Sequence, residues 1–326
     1  MLKVDDEYIE LLNKAVAREI QVSAQYMLQH TKMEKLLRKV IKENYLLDST
    51  TYEEFGKILK DLAIQEMKHL AAIMERIYIL GGEATTKPDK VVIGNSMKEF
   101  AQLGVKAEEE ALEMYRKIIT VAKENGDRKT WRLFTHIYDD EEEHLLKFQD
   151  YSDMEDEPDL GETSPSEWRS IFNDSDYIVL LNKALASEIS AIVQYTTQHE
   201  KAEGLERMRR KNAALEVVTG KNKASVVSEM LKTIFLQEME HMEKIAERIF
   251  EIDKEALAQV DPLPEIGEDV ENFITLDREA ENYAIVLYRQ IINEAVKKGD
   301  IKTKRMFEEI IQQEEEHYWM FDDFLP

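Results

Sequence analysis

The feature that most constrains the fold of this chain is an internal repeat that runs through nearly all of it. The segment LLNKAVAREIQVSAQYMLQH (11–30) matches LLNKALASEISAIVQYTTQH (180–199), and three further segment pairs follow in the same order. Tyr26 and Tyr195 are 169 residues apart, and the offset grows only to 173 residues near the ends of the copies. Repetition of this length predicts two copies of one domain that differ by short loop insertions.

Each copy has the pattern of long amphipathic helices. Only 11 Gly and 6 Pro interrupt the 326 residues, and apolar residues recur at three- and four-residue spacing almost throughout. In the first copy this spacing predicts four helices, at 5–47, 51–81, 97–124 and 128–150. Thr51 with Glu54 predicts a capping box for the second helix. A Gly-Asp pair at 126–127, repeated at 299–300, predicts a helix stop followed by the N-cap of the next helix.

An acidic segment separates the two copies. It reads YSDMEDEPDLGETSPSEW and contains two prolines, a composition typical of a linker. We therefore predict an all-α chain of two tandem four-helix bundles, packed against each other as an internal pseudo-dimer. The predicted domains are residues 1–150 and 174–326, joined by an acidic linker at 151–173.

The charge balance and the missing cysteines exclude several classes of protein. The chain carries 67 acidic and 43 basic residues, a net charge of −24, so we expect no nucleic acid and no anionic membrane as partner. An acidic surface instead attracts cations. With no cysteine there are no disulfides and no iron–sulfur clusters. No signal peptide or membrane span is recognisable, which makes a cytoplasmic location the expectation.

Four of the seven histidines follow a glutamate at the same spacing. In the first copy Glu66 precedes His69 and Glu141 precedes His144, each by three residues. On a helix this spacing places both side chains on nearly the same face. The second copy repeats both pairs at equivalent places, as Glu238 with His241 and Glu314 with His317.

The first and third predicted helices add one carboxylate each to this set. These glutamates lie on the apolar stripe of their helices and keep their positions in both copies: Glu19, Glu108, Glu188 and Glu281. One Glu from each of two helices and one Glu-x-x-His from each of the others is the arrangement of di-iron and di-manganese carboxylate sites in helical bundles. Two divalent cations would cancel the charge of four buried carboxylates, which are costly to bury bare. The alternative is solvated helix faces with ordinary ion pairs, which a duplication would also preserve.

The sequence resembles bacterioferritin and its relatives in the ferritin-like superfamily. The segments that carry the resemblance are LNKAVAREIQVSAQY, EMKHLAAIMERI, AEEEALEMYRKII and DDEEEH. The resemblance implies two iron ions in each domain. In the first domain it assigns Glu19 and His69 to one ion, Glu108 and His144 to the other, and the bridging positions to Glu66 and Glu141. In the second domain it assigns Glu188 and His241 to one ion, Glu281 and His317 to the other, and the bridging positions to Glu238 and Glu314.

The resemblance also implies a function. It points to oxidation of Fe(II) by dioxygen or peroxide, a ferroxidase-like role in iron homeostasis or protection from oxidative stress. The ligand types alone leave the metal open between iron, manganese and a mixed centre. They also leave open a protein that binds or delivers iron or manganese without catalysis. A homo-oligomer is compatible with the sequence, but a closed 24-subunit shell is not expected, because only nine residues follow His317.

Two further pairs of residues are candidates for the surroundings of the metals. Tyr26 and Tyr195 lie two turns after a predicted ligand and either hydrogen-bond a ligand carboxylate or pack in the core. Met67 and Met239 stand where the family has a haem-ligating methionine from each of two subunits. An internal pseudo-dimer would let them bind one haem, although methionine is also a common filler at helix interfaces.

Overall fold

The computed structural model describes residues 4–42, 46–153, 174–212, 223–252 and 254–325. Its chain forms two compact units that divide between Gly161 and Glu162. Within the described ranges the regular structure is helical, as predicted: α1 Asp6–Lys42, α2 Leu46–Leu80, α3 Met97–Glu124, α4 Arg128–Ser152, α5 Ser175–Asn212, α6 Lys223–Glu251, α7 Val270–Lys298 and α8 Ile301–Asp322. Each unit thus contributes four helices, which confirms two tandem four-helix bundles.

One long crossover organises the first bundle. Helix α1 packs beside α2, and α3 packs beside α4, so each pair is a helical hairpin. The connection at 81–96 returns along α1: Asn13 Nδ2 donates to Glu83 O at 2.9 Å near its start, and Gln29 Nε2 donates to Ile93 O at 2.8 Å near its end. Because this connection runs parallel to α1, α3 starts at the opposite end of the bundle from the end of α2.

The ends of several helices follow the predicted turn chemistry. Gly126 has a φ of 67° and Gly299 a φ of 72°, the left-handed conformation that favours glycine after a helix. Asp127 then caps α4 by accepting from Thr130 N at 3.1 Å, and α8 begins with the same cap. The predicted capping box at Thr51 is wrong. Helix α2 begins five residues earlier, at Leu46, because the residues before Thr51 continue the helix rather than form a loop.

A buried polar network closes one end of each bundle. In the first unit, Arg76 Nη2 contacts both carboxylate oxygens of Asp127 at 2.7 and 2.8 Å, and Arg76 Nε donates to Thr130 Oγ1 at 2.8 Å. The second unit repeats the contacts with Arg248, whose Nη2 lies 2.8 Å from Asp300 Oδ1. These ion pairs join α2 to α4 and α6 to α8, and so fix the register of the helices that carry the Glu-x-x-His pairs.

Candidate metal centre

Six predicted side chains meet in the middle of each bundle. Glu19 lies on α1, where it replaces an apolar residue in the stripe that contains Val16 and Val22. The other five come from α2, α3 and α4, and every one of the six is buried. Donor atoms lie within 4.8 Å of one another in two groups per unit. The groups of the first unit are Glu19, Glu66, His69, Glu141 and Glu66, Glu108, Glu141, His144; those of the second unit are Glu188, Glu238, His241, Glu314 and Glu238, Glu281, Glu314, His317.

The two groups of the first unit share Glu66 and Glu141, and each of these carboxylates faces both histidines. Glu66 Oε2 lies 3.0 Å from His69 Nδ1, while its Oε1 lies 3.0 Å from His144 Nδ1. Glu141 Oε1 lies 3.2 Å from His69 Nδ1, and its Oε2 lies 3.4 Å from His144 Nδ1. One oxygen directed to each side is the arrangement that a carboxylate bridging two cations requires.

The second unit has the same geometry. Glu238 places Oε2 at 2.9 Å from His241 Nδ1 and Oε1 at 3.0 Å from His317 Nδ1. Glu314 does the same, at 3.1 Å from His241 Nδ1 and 3.3 Å from His317 Nδ1. The structure therefore brings together all twelve residues that the sequence singled out, six in each unit. Their binding of a metal remains a prediction.

Tyrosines hold the outer carboxylates. Tyr26 Oη donates to Glu108 Oε1 at 2.5 Å, and Tyr195 Oη donates to Glu281 Oε1 at 2.6 Å. The sequence analysis missed a second pair, Tyr115 and Tyr288, which donate to Glu19 and Glu188. The signal was present, because each follows the glutamate of its own helix by seven residues and so shares its face.

The outward nitrogens of three of the four histidines, His69, His241 and His317, also have partners, which the sequence analysis missed. His69 Nε2 lies 3.2 Å from Asp140 Oδ2, and His241 Nε2 lies 2.9 Å from Gln313 Oε1. Such a contact orients the imidazole and presents its other nitrogen, Nδ1, to the centre of the bundle. Asp140 and Gln313 occupy equivalent positions, one residue before the bridging-type glutamates.

Burial and mutual repulsion govern the electrostatics of the cluster. Burial raises the pKa of Glu19 well above its usual range, and the charge of Glu66 adds to this effect. Glu66 behaves differently: burial opposes its ionisation, but hydrogen bonds from His144 and His69 bring its pKa down to about 2. Burial also disfavours charge on His69, yet its close contacts with the carboxylates of Glu141 and Glu66 raise its pKa to about 12. Without a cation, the cluster therefore limits its negative charge by holding protons.

The donor set fits two divalent cations. Among the described residues, both oxygens of Glu141 and of Glu314 are buried without a hydrogen-bond partner, as is Glu19 Oε2. Buried carboxylate oxygens that no donor satisfies are costly unless a cation takes the place of the donor. Carboxylate oxygens and imidazole nitrogens are the ligands that iron and manganese share. The clusters therefore fit metal binding, and two doubly charged cations would balance four carboxylates.

A buried arginine distinguishes the first unit and was not anticipated from the sequence. Arg18 is only 4 % exposed, and its guanidinium lies among the four carboxylates. Its Nη2 donates to Glu108 Oε2 at 2.5 Å, and its Nη1 lies 3.2 Å from Glu19 Oε1. The equivalent residue in the second unit is Ser187.

Two helical hairpins joined by one crossover, with paired Glu-x-x-His motifs facing two further glutamates, define a ferritin-like carboxylate bundle. Comparison with known proteins gives the same result. The chain belongs to the family described as the ferritin-like domain, whose model matches residues 9–155 and 217–326. It is a bacterioferritin-like member of that family in which the domain is duplicated in tandem.

The similar proteins each align with about half of this chain, as expected for a duplicated domain. Bacterioferritin of Desulfovibrio desulfuricans is 38% identical over 142 residues, which cover 43% of this chain and 72% of the relative. Bacterioferritin of Rhodobacter capsulatus is 32% identical over 147 residues, covering 44% and 79%. A solved structure of the Desulfovibrio protein, described as showing its diiron site in different catalytic states, has 36% identity and a TM-score of 0.38, with coverage of 45% and 78%.

The remaining predictions concern partners and location. Met67 and Met239 are each half-buried within their own unit, and haem ligation by them remains a prediction. In the parts of the chain that the structure describes, no helix combines the length and apolar character that a membrane span needs. The predicted linker falls almost entirely at 154–173, outside the described residues, and the predicted domain limits remain predictions.

Proposed function

We propose that this protein binds iron in its two clusters and oxidises Fe(II) with dioxygen or peroxide, in the manner of a ferroxidase. The observation that carries the proposal is the pair of shared carboxylates in each unit, Glu66 with Glu141 and Glu238 with Glu314. Each of them directs one oxygen toward each of two histidines. A cluster built in this way provides two adjacent cation sites rather than one.

Bound iron would supply the redox chemistry: two Fe(II) ions would give one electron each, and with two protons these would convert dioxygen to hydrogen peroxide, or hydrogen peroxide to two waters. The protein supplies charge compensation and fixed geometry. Glu66, Glu141 and their counterparts would hold both ions of a unit, while Glu19 and Glu108 would each hold one. Tyr115 and Tyr26 hold these two terminal carboxylates in place by hydrogen bonds.

Protons held by the metal-free cluster support the same function. Burial raises the pKa of Glu108 well above its usual range, as it does for Glu19, and the nearby charge of Glu141 adds to this. Two divalent cations would replace these protons as the source of positive charge, so the site could load without leaving bare carboxylates in the core.

Anaerobic loading with Fe(II) followed by exposure to air tests the proposal. We expect a rapid rise of ferric absorbance with uptake of oxygen. Replacing a shared carboxylate in both units, Glu66→Ala with Glu238→Ala, should abolish this rise because both bridges are interrupted. The matched control is Glu143→Ala with Glu316→Ala, two exposed glutamates two residues beyond a predicted ligand, which should retain the wild-type rate.

The outcomes distinguish the proposed function from the alternative. If the double variant at Glu66 and Glu238 oxidises iron at the wild-type rate, the assignment of the centre is wrong. Fe(II) that stays bound and stable in air would instead support a binding or delivery protein without catalysis. Metal analysis of protein purified without added metal separates iron from manganese. A visible spectrum of the same sample tests haem ligation by Met67 and Met239.

A further inference from the structure

The two metal centres differ at the residue before the first carboxylate. In the first unit this residue is Arg18, next to Glu19, and in the second unit it is Ser187, next to Glu188. The difference concerns the interior of the protein, because Arg18 and Ser187 are both buried. A long, positively charged side chain in the first unit and a short, neutral side chain in the second therefore face clusters that otherwise match.

Arg18 occupies space within the first cluster. Besides its contacts with Glu108 and Glu19, its Nη1 lies 3.6 Å from Glu141 Oε1 and 3.9 Å from Glu66 Oε2. One guanidinium thus approaches all four carboxylates. A fixed positive charge at this place reduces the attraction for a second cation and fills part of the volume that the cation needs.

A cavity reaches the second cluster but not the first. In the second unit a cavity of about 350 Å³ lies against Ser187, and its wall includes carboxylates of all four helices: Glu188, Glu238, Glu281 and Glu314. In the first unit a cavity of about 330 Å³ lies at the equivalent place, but its wall ends at Arg18 and includes none of the four carboxylates. The arginine side chain fills the inner end of the passage that serine leaves open.

The outer walls of the two cavities also differ in charge. In the second unit Glu265 and Glu279 are exposed on the wall. The equivalent wall in the first unit carries two exposed lysines, Lys90 and Lys106, together with two exposed acids, Asp89 and Glu110. Acidic groups at the mouth of a cavity raise the local concentration of cations, whereas lysines beside them offset this effect. The charge at the mouth and the width of the passage therefore both favour entry of cations into the second unit.

We propose that the two centres are unequal, with the second unit as the readily loaded one. Divalent cations reach its carboxylates through the cavity beside Ser187, while Arg18 closes the equivalent passage in the first unit and competes with cations for its carboxylates. The proposal rests on the proposed function, since it takes both clusters to bind divalent cations. Residues 18 and 187 set how tightly each copy binds.

Binding of Co(II), a divalent probe that does not require oxygen chemistry, tests the inference by titration calorimetry and equilibrium dialysis. In the wild type we expect about two tightly bound ions per chain and about two weaker ones, separated on the order of 10- to 100-fold in affinity, the range seen for changes beside metal ligands. Glu238→Ala should remove the tight class, which places that class in the second unit.

Exchange of the two residues should exchange the behaviour of the units. In Arg18→Ser, the weakly bound Co(II) ions should bind about as tightly as the other two. In Ser187→Arg, the affinity of the tightly bound ions should fall by a similar factor. The two variants lie in separate units, so each tests the inference if the other does not fold. Arg116→Ser, which removes an exposed arginine from α3, is the matched control and should bind Co(II) as the wild type does.

Two results separate failure of this inference from failure of the proposed function. Four equivalent ions in the wild type, with an affinity that Arg18→Ser and Ser187→Arg leave unchanged, would overturn the inequality of the centres and leave metal binding intact. No Co(II) bound by the wild type or by Arg18→Ser would overturn the proposed function and the inference with it.

Discussion

Asp277 provides a test of the electrostatics of the second bundle that does not depend on metal binding. It lies on α7, one turn before Glu281, and is completely buried. Its Oδ1 accepts from Gln194 Nε2 at 2.7 Å, whereas its Oδ2 is buried without a hydrogen-bond partner. Burial raises the pKa of Asp277 from its ordinary 3.8 to about 8, although the hydrogen bond from Gln194 opposes the rise.

The direction of the pH dependence follows from this difference. The folded protein keeps a proton on Asp277 that the unfolded chain releases near pH 3.8, so stability is lost as the pH rises from there to the folded pKa of about 8. The loss is about 1.4 kcal/mol per pH unit and totals roughly 6 kcal/mol. Asp277→Asn keeps the shape and the acceptor oxygen of the side chain but cannot ionise, and so avoids this loss.

Denaturant unfolding of the full chain, without metal and with a chelator present, measures the effect. Hydrogen exchange read from peptides of α7 and of α3 separates the two units. We expect the variant to gain stability over the wild type in the second unit, by at least about 2 kcal/mol more at pH 8 than at pH 5. The first unit is an internal control, since Gly104 stands at the equivalent position.

A comparison of the two proteins at each pH cancels the titration of the neighbouring glutamates. If the difference in unfolding free energy between wild type and Asp277→Asn stays constant from pH 5 to pH 9, Asp277 does not hold a proton in the folded protein. That result would refute the argument from burial.

Two further predictions concern the first unit. Loading with Co(II) should release protons and weaken as the pH falls. Burial disfavours charge on the histidines, but their contacts with the glutamates raise the pKa of His69 to about 12 and of His144 to about 9, so both imidazolium groups must deprotonate to bind a metal. Calorimetry in buffers of different ionisation enthalpy counts the released protons, and a count of zero would contradict this prediction. Arg76→Ala should destabilise the first unit by about 3–5 kcal/mol, because it leaves Asp127 buried without its ion pair. Chemical denaturation measures this loss, with Arg116→Ala at an exposed site as the control. Equal stability of the two variants would show that the buried network of Arg76 does not stabilise the bundle.

The helices and the candidate ligands could be predicted because their signals are local. A stripe of apolar residues at helical spacing predicts an amphipathic helix wherever the chain places it, and a glutamate within the stripe is buried with its neighbours. Glu19 and Glu108 were found in this way, and the repeat supplied a second instance of each. The start of α2 was predicted wrongly, because a capping motif is compatible with the interior of a helix and only neighbouring turns decide its use.

The partners across helices could not be predicted in the same way. Arg18 is adjacent in sequence to Glu19 and points in a direction rotated by about 100° on the helix, where a single sequence gives no reason to place it inside. Only the packing of α3 beside α1 encloses its guanidinium and brings Glu108 within 2.5 Å. The outward contact of His69 with Asp140 depends in the same way on the packing of α2 beside α4.

By itself, the sequence determined that this protein has two similar helical bundles and which twelve side chains are candidates for their centres, because composition and periodicity are properties of the chain. Tertiary structure alone decided that each shared carboxylate faces two histidines, that Arg18 lies within one cluster, and that a cavity reaches the other. These features depend on distances between helices that are far apart in sequence, and packing fixes those distances. For that reason two copies with the same ligands need not bind metal equally.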